Sequence, residues 1–538
     1  MTDRTTTPPP DGPAASAATA TSGIGARALR GAAWSVLEKW GARLAQLLVF
    51  VLLSRMLDPT VFGVIAIAQV VLDLVRILVD QGFSQALVVE DRPDRAFTST
   101  AFWVGLGVSA LLTLTMFFTA PLVADLYDEP QLTAVLRWLS IGFLLQAASS
   151  VPQALLSREF RFRELAVRRL VSVLVGGVAG VVLAATGAGV WALVGQTLGT
   201  TAASVVVLYA ATRFRPGLAF DRARWKGLVR FSGGVLGVDL MTWLVNNADK
   251  LIVGALLGTE ALGYYYVAWR ILMLVTEVMT GVMSGVALPV FSRLKGDRDL
   301  TVRALFRATK LSVSVAAPTF VAIAVLAPDL VPVVFGRQWG EAVPLAQVLC
   351  LVGLVYSVTF FDRSVLYAAG RPGLELVVAG LTAAGTALAA ALGSLQGLML
   401  VCVLLAVRSY GLWPVRIAFL RRVTGLPVGR YLLQWVRPVL ATAPAAGTGE
   451  LVRHLLEDAD PLLRLVAAGA AFALVFAVVL VLVDRRFVRE TLATVRAAAR
   501  RRPPAGARAV PEQADAVRRE TAPAAPAGDR HPSSGAAR

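Results

Sequence analysis

The feature that most constrains the fold is a series of apolar segments, each about 20 residues long, that recurs along the chain. A helix of that length crosses the roughly 30 Å hydrocarbon layer of a bilayer and satisfies its own backbone hydrogen bonds there. Of the 538 residues, 56% are hydrophobic and only 16% are charged, too few for the water-exposed surface of a soluble protein this large. The sequence therefore predicts an all-α polytopic membrane protein with about fourteen transmembrane helices.

The basic residues between the predicted spans fall almost entirely on one side of the membrane. Connections that follow even-numbered spans carry 26 Lys and Arg residues, whereas connections that follow odd-numbered spans carry four. Cytoplasmic loops of membrane proteins are enriched in Lys and Arg, so the basic side is predicted to be cytoplasmic. We therefore expect a multi-pass protein of a bacterial cytoplasmic membrane with both termini inside.

Two short motifs repeat along the chain. MLDPTVFG at 56–63 corresponds to LLGTEALG at 256–263, an offset of 200, and GVWAL at 189–193 corresponds to GLML at 397–400. Both pairs are six spans apart, which predicts two six-helix lobes related by a pseudo-two-fold axis along the membrane normal, plus a C-terminal helix pair. The predicted parts are a disordered cytoplasmic tail at 1–28, an N-lobe at 29–215, a C-lobe at 216–418, the helix pair at 419–484 and a basic, disordered cytoplasmic tail at 485–538.

Polar side chains inside the predicted spans concentrate in the first two helices of each lobe. The second span carries four of them on one helical stripe, spaced four, three and four residues apart: Gln69, Asp73, Arg76 and Asp80. The first, seventh and eighth spans carry the others: Arg43, Gln46, Asp239, Asn246, Asp249, Lys250, Arg270 and Glu277. A charge inside a bilayer costs at least about 2.5 kcal/mol on insertion scales, so such groups are usually functional or paired. We expect these helices to share a polar, water-accessible interior.

The residue types suggest two roles in this interior. Cations and amides suit a diphosphate and sugar hydroxyls, and the candidates for substrate binding are Arg43, Arg76, Lys250, Arg270, Gln46, Gln69 and Asn246. Carboxylates can balance these cations or bind a coupling ion, and the candidates are Asp73, Asp80, Asp239, Asp249 and Glu277. For Asp73, Asp239 and Arg270, purely structural pairing between helices is the alternative.

Several other activities find no support in the sequence. A formal net charge of +17 would suggest nucleic acid in a soluble protein, but the basic residues lie between apolar segments and in the C-terminal tail, where they favour anionic lipid. The two cysteines lie in apolar runs without metal-ligand spacing, and no Gly-rich nucleotide loop is present. We expect no catalytic residues, no metal site, no nucleic-acid partner and no cofactor other than a coupling H⁺ or Na⁺.

Four stretches carry a family resemblance: LDPTVFG at 57–63, SREFRFRELAVRR at 157–169, GVWALVGQ at 189–196 and NNADKLIVGALLGTEALGYYYVAWRI at 246–271. With them, residues 28–484 resemble the Wzx-type polysaccharide flippases of the multidrug/oligosaccharidyl-lipid/polysaccharide exporter superfamily. The resemblance implies a cavity between two lobes and alternating access without an enzymatic step. It also implies export of an undecaprenyl-diphosphate-linked oligosaccharide repeat unit for capsule, exopolysaccharide or surface antigen, with polymerase or export machinery as further partners.

Other functions remain open at this point. A lipid II flippase and a drug/cation antiporter share the same fold, although four cations in the predicted interior suit an anionic substrate better than a cationic drug. A membrane-embedded glycosyltransferase usually carries a large outer loop with catalytic acids, whereas the predicted outer loops here are short. A scaffold for a synthesis complex would leave the charged stripes unexplained.

Overall fold

The structure is a computed structural model that describes residues 40–79, 95–159, 161–217, 222–294, 296–485, 487–490 and 493. The described residues up to Arg489 lie in one compact unit, Gly31–Arg489, and none of them forms a β-strand. The predicted all-α architecture is therefore confirmed. The predicted tail at 1–28 lies outside the described residues, as does the predicted C-terminal tail beyond residue 493.

The helices follow one another along the chain and are numbered in that order. They are α1 (residues 40–56), α2 (Pro59–Val79), α3 (Arg95–Leu126), α4 (Gln131–Arg158), α5 (Phe162–Ala185), α6 (Val190–Thr212), α7 (Arg222–Arg293), α8 (Arg298–Val334), α9 (Ala342–Ala368), α10 (Pro372–Ser394), α11 (Leu398–Thr424), α12 (Val428–Leu455) and α13 (Pro461–Val483). A 3₁₀ turn, Arg337–Trp339, precedes α9. Gly258 has φ +83° and divides α7 into a first arm, 222–257, and a second arm, 259–293.

Within the described residues, 11 helices are long and apolar enough to cross a membrane. The two arms of α7 count as one of them, although the sequence predicts a separate span for each. Neither α1, described from residue 40 onward, nor the more polar α12 is included. A polytopic helical protein is thus confirmed, while the number of about fourteen spans and the two-fold relation between lobes stay predictions.

Local sequence explains several helix boundaries. Asp297 begins α8 because its side chain accepts a hydrogen bond from the Leu300 amide at 2.9 Å, and Asp460 caps α13 in the same way. Gly189 and Gly397, equivalent positions in the predicted repeat, precede α6 and α11 with φ of +57° and +114°. A residue with a Cβ atom would be strained at either position, so both turns depend on glycine.

The two repeated helix turns meet each other at the predicted outer face. A Cβ atom on Gly63 would collide with the carbonyl oxygen of Thr259, and a Cβ atom on Gly263 would collide with the carbonyl oxygen of Pro59. These contacts are reciprocal under the same offset of 200 that relates the two motifs. Glycine at both positions lets α2 and the second arm of α7 pack backbone against backbone.

Aromatic packing and hydrogen bonds reinforce this closed face. Phe62 is buried, with its ring centroid 5.7 Å from Phe50 and 5.3 Å from Trp339. The Trp339 indole donates to the carbonyl oxygen of Ser54 at 2.8 Å. Arg55 donates to a backbone carbonyl at the end of α8, where carbonyl groups lack intrahelical partners. The end of α1 is therefore held against the end of α8.

Ion pairs attach the C-terminal helices to α8 near both of its ends. The Asp329 side chain is 1% exposed, accepts a hydrogen bond from Arg453 at 2.7 Å and also contacts Arg464. Near the other end, the Lys310 ammonium lies 2.5 Å from Asp484, the residue directly after α13. Because a buried ion pair that loses one partner leaves an uncompensated charge, these contacts hold α12 and α13 in place.

Candidate functional site

A polar cavity of about 200 Å³ lies between α2 and the two arms of α7; we call it the inter-lobe pocket. Its polar lining consists of Gln69, Asp73, Asn247, Lys250, Tyr266, Arg270 and Glu277. Gln69 lies ten residues after the start of α2, or roughly 15 Å along the helix, which is about half of the hydrocarbon thickness. The structure thus brings residues from both predicted lobes together near the middle of the membrane.

Hydrogen bonds and ion pairs across this pocket join the two predicted lobes. The Tyr266 hydroxyl on α7 lies 3.2 Å from the amide oxygen of Gln69 on α2 and donates to it. Arg43 on α1 forms an ion pair with Glu277 on α7, with 3.6 Å between Nη2 and Oε2. The Arg270 guanidinium lies 5.9 Å from the ring centroid of Phe50 on α1. Such contacts can be exchanged for contacts with a bound ligand.

Two of the cations around the inter-lobe pocket already have partners on their own helix. Arg76 Nη1 donates to Asp73 at 2.9 Å, so this pair is internally neutral. The Lys250 ammonium donates to the side-chain oxygen of Asn247 at 3.1 Å and to the carbonyl oxygen of Asn246. The pocket is therefore polar but largely balanced in charge. An anion that binds Arg76 or Lys250 has to displace these partners.

Six of the described candidates do not line the inter-lobe pocket: Arg43, Arg76, Gln46, Asn246, Asp239 and Asp249. Gln46 and Asp239 are exposed and line neither cavity described here, and Asp80 lies outside the described residues. Asp249 is 2% exposed and accepts a hydrogen bond from the buried hydroxyl of Tyr265. Asp249 is therefore buried between the two arms of α7, because it lies one residue, about 100° around the helix, from the lining position of Lys250.

A larger cavity, of about 730 Å³, lies within the predicted C-lobe between α7, α9, α10 and α11; we call it the C-lobe cavity. Its charged lining residues are Arg363, Glu375, Arg408 and Arg416, and its aromatic lining residues are Tyr356, Phe360, Tyr367 and Trp413. Asn246, predicted to bind substrate, also lines it. Met273 lines both cavities, which therefore adjoin each other.

The charges of the C-lobe cavity form a shared ion cluster at one end. Glu375 Oε1 accepts hydrogen bonds from Arg363 Nε at 3.0 Å and from Arg416 Nη2 at 2.9 Å. Arg416 also donates to the carbonyl oxygen of Thr359 at 3.3 Å. Glu375 lies in the first turn of α10, where a negative side chain is favoured by the helix dipole. One carboxylate thus holds two guanidinium groups on two other helices.

Comparison with known protein families identifies the chain. The family described as polysaccharide biosynthesis protein matches residues 52–344, more than half of the 538 residues. The chain belongs to this polysaccharide biosynthesis family.

Relatives of this polysaccharide biosynthesis protein match over most of their length. It is 28% identical to the succinoglycan biosynthesis transport protein ExoT of Rhizobium meliloti, over 89% of this chain and 97% of that protein. It is 27% identical to the teichuronic acid biosynthesis protein TuaB of Bacillus subtilis, over 84% and 95% of the two chains. It is 23% identical to the lipopolysaccharide biosynthesis protein WzxC of Escherichia coli, over 78% and 86%.

Solved structures share the fold of this polysaccharide biosynthesis protein. The lipid II flippase MurJ in an inward closed conformation matches with a TM-score of 0.68 and 12% identity, over 85% of this chain and 99% of that chain. An inward-facing multidrug resistance transporter of the MATE family matches with a TM-score of 0.58 and 18% identity, over 71% and 95%. At these identities the matches show the fold alone.

Sequence reasoning missed the C-lobe cavity of this polysaccharide biosynthesis protein. Arg363 and Arg416 are among the 26 basic residues counted in the connections after even-numbered spans, and the structure places them inside α9 and α11. These helices continue past the most apolar part of the sequence. Arg408, ten residues into α11, was the available signal, since a cation in the middle of an apolar segment is rare without a partner or a ligand.

Proposed function

We propose that the protein is a flippase that moves an undecaprenyl-diphosphate-linked oligosaccharide repeat unit across the bacterial cytoplasmic membrane. The product would serve capsule, exopolysaccharide or surface antigen synthesis. The observation that carries the proposal is the inter-lobe pocket, in which polar side chains of α2 and both arms of α7 meet at about half of the membrane depth. Ionisable groups at this depth are rare and mark the paths of substrates or ions.

The proposed mechanism is alternating access between two lobes. The reciprocal contacts of Gly63 and Gly263 close the predicted outer face, so the polar interior would open toward the cytoplasm in this conformation. The sugar-phosphate head would cross through the polar interior while the polyprenyl tail stays in lipid, which avoids the cost of moving hydroxyls and phosphates through hydrocarbon. The proposed reaction makes and breaks no covalent bond, which is why we assign no catalytic residue.

Ion pairs that join the lobes would be exchanged during this transition. Arg43 pairs with Glu277 between α1 and α7, and Arg76 pairs with Asp73 on α2. An anionic head group that takes over a cation frees the carboxylate partner, which can then bind a proton or Na⁺. We propose Asp73 and Glu277 for that coupling role. Polymerase or export machinery would receive the unit on the outer side.

The function is tested in a strain that lacks the gene and receives it back on a plasmid. Arg270→Gln and Glu277→Gln are expected to reduce surface polysaccharide at least about tenfold, because a lost charge-assisted contact costs 1.5–3 kcal/mol. The lipid-linked repeat unit should accumulate inside. Asp239→Asn is the matched control, since Asp239 is exposed and lines neither cavity.

Membrane levels of every variant are measured with a C-terminal fluorescent fusion. Normal polysaccharide with both Arg270→Gln and Glu277→Gln would refute the assignment of the inter-lobe pocket. Wild-type rescue of resistance to cationic dyes, without rescue of polysaccharide, would instead identify a drug antiporter. Release of free glycosyl products by the purified protein would contradict a purely translocating role.

A further inference from the structure

The C-lobe cavity contains a cation that the structure leaves without a partner. Arg408 lines the cavity near the middle of α11, and its side chain makes no hydrogen bond or ion pair within the described part of the chain. Its Nε atom is buried and unpaired. The position is built to accept this side chain, because a Cβ atom on Gly385 would come within 2.9 Å of Arg408 Cγ. A guanidinium without a protein partner at this depth has donors available for an anion.

The whole cavity shares this excess of positive charge. Arg363 and Arg416 both bind one oxygen of Glu375, while the second oxygen of Glu375 is buried without a partner. Among the lining residues, three guanidinium groups accompany one carboxylate, so the lining carries more cations than anions. The Arg363 side chain is 55% exposed, so donors beyond its bond to Glu375 remain available.

We propose that the C-lobe cavity holds the diphosphate of the lipid-linked glycan in this conformation, with Arg408 and Arg363 as its cationic contacts. The proposal rests on the proposed flippase function. A diphosphate that is esterified at both ends carries two negative charges at neutral pH, which suits a cavity whose lining has more cations than anions. Guanidinium groups offer planar pairs of donors that match phosphate oxygens.

The size and lining of the cavity agree with a head group larger than diphosphate alone. A volume of about 730 Å³ falls within the range of small-molecule pockets. Tyr356, Tyr367 and Trp413 provide ring faces and polar edges for the first sugars. The inter-lobe pocket is smaller, and of its two lining cations Lys250 is already paired, while the Arg270 guanidinium lies 5.9 Å from the ring centroid of Phe50. The C-lobe cavity therefore offers the larger space and, with three guanidinium groups in its lining, the larger number of cations.

The depth of the charges suggests a path from the predicted cytoplasmic side. Glu375 and Arg363 lie near the ends of α10 and α9 on that side, and Arg416 lies close to them. Arg408 lies ten residues from the opposite end of α11, or roughly 15 Å into the membrane. A head group that enters past Glu375 would find Arg408 at the inner end of the cavity.

The test measures binding of undecaprenyl diphosphate to the purified full-length protein in detergent by native mass spectrometry. Undecaprenyl monophosphate and undecaprenol serve as comparison ligands. We expect the wild type to prefer the diphosphate, and Arg408→Gln to weaken its binding at least about tenfold. Arg408→Lys should lose less affinity for the diphosphate, because it keeps the positive charge. It should still bind more weakly than the wild type, because it lacks the planar pair of donors. Arg421→Gln, on the exposed end of the same helix, is the matched control and should bind as the wild type does.

Each outcome decides the proposal. Equal diphosphate affinity in Arg408→Gln and the wild type overturns it, as does a tenfold loss in Arg270→Gln with none in Arg408→Gln. Thermal unfolding of the same samples shows whether a variant has lost its fold, in which case Arg408→Lys supplies the decisive comparison. Restoration of surface polysaccharide by the wild-type gene tests the flippase function separately, so that function stands even if diphosphate binding is assigned to the wrong cavity.

Discussion

Alanine at Gly63 or Gly263 should weaken the closure of the outer face. The added Cβ atom meets a backbone carbonyl oxygen in each case, of Thr259 or of Pro59, and a backbone group cannot rotate away as a side chain can. The helices must therefore separate. Overpacking of this kind costs about 1–3 kcal/mol, and the cost applies only to the conformation in which the two turns touch. The equilibrium should shift toward outward opening by roughly 5- to 150-fold.

The same substitution also improves helix propensity, by about 1 kcal/mol. Gly107→Ala measures that effect alone, since Gly107 lies in α3 and a Cβ atom there meets nothing within 4 Å. The two clashes share one interface. Once one alanine has separated the helices, the second alanine meets a weaker clash. The double variant Gly63→Ala with Gly263→Ala should therefore destabilise the closed conformation by less than the sum of the two single substitutions.

The assay is labelling by a membrane-impermeant maleimide added from outside the cell. A cysteine placed at Met273, which lines both cavities, reports outward opening, and the native Cys350 and Cys402 are buried. Labelling in Gly63→Ala and in Gly263→Ala should exceed labelling in Gly107→Ala at least about fivefold. Equal labelling in all three would show that the reciprocal contact does not control closure.

Two further predictions concern the attachment of the C-terminal helices. Asp329→Asn should lower the free energy of unfolding by about 3–5 kcal/mol, because it leaves Arg453 and Arg464 without their buried counter-charge. Glu450→Gln changes an exposed partner of Arg453 and should lower it by less than about 1 kcal/mol. Both values are measured by denaturation in detergent. At Asp484, burial opposes ionisation, but the Lys310 ammonium and the Phe487 amide lower the pKa overall. The stability that Asp484 contributes should therefore be present above the unfolded pKa of about 4 and be lost as the pH falls through the lowered folded pKa. The melting temperatures of the wild type and Asp484→Asn should then converge only at acidic pH.

The repeat of helix turns illustrates what the sequence could predict. The motif at 56–63 and its counterpart at 256–263 predicted two equivalent turns, and the structure places these turns in contact. That they pack reciprocally through Gly63 and Gly263 could not be predicted, because a motif specifies local conformation but not its neighbour. Helical periodicity likewise placed Gln69 and Asp73 on one face, where both line the inter-lobe pocket.

Some residues lie in other surroundings than the sequence indicated, and the reasons are physical. Asp249 is next to Lys250 in the chain, yet one step around a helix turns it from the pocket toward Tyr265. Arg363 and Arg416 were assigned to connections because cations at the ends of apolar segments usually serve topology. Whether such a cation faces lipid headgroups or a cavity depends on which helices surround it, and that information is not local. Only packing brings Glu375 between the two.

The division of charge between the two cavities favours an ordered path for the head group. In the inter-lobe pocket, Arg43 and Arg76 have carboxylate partners, and removing a partner in a medium of low dielectric constant costs several kcal/mol unless an anion replaces it. Arg408 needs no such exchange and lies in the cavity that the proposed path past Glu375 reaches first, so an arriving diphosphate should bind it first. Met273 lines both cavities, so the bound head group is then next to the inter-lobe pocket. From there it can displace Glu277 from Arg43 directly, and the contact between α1 and α7 would open only when substrate is present to replace it.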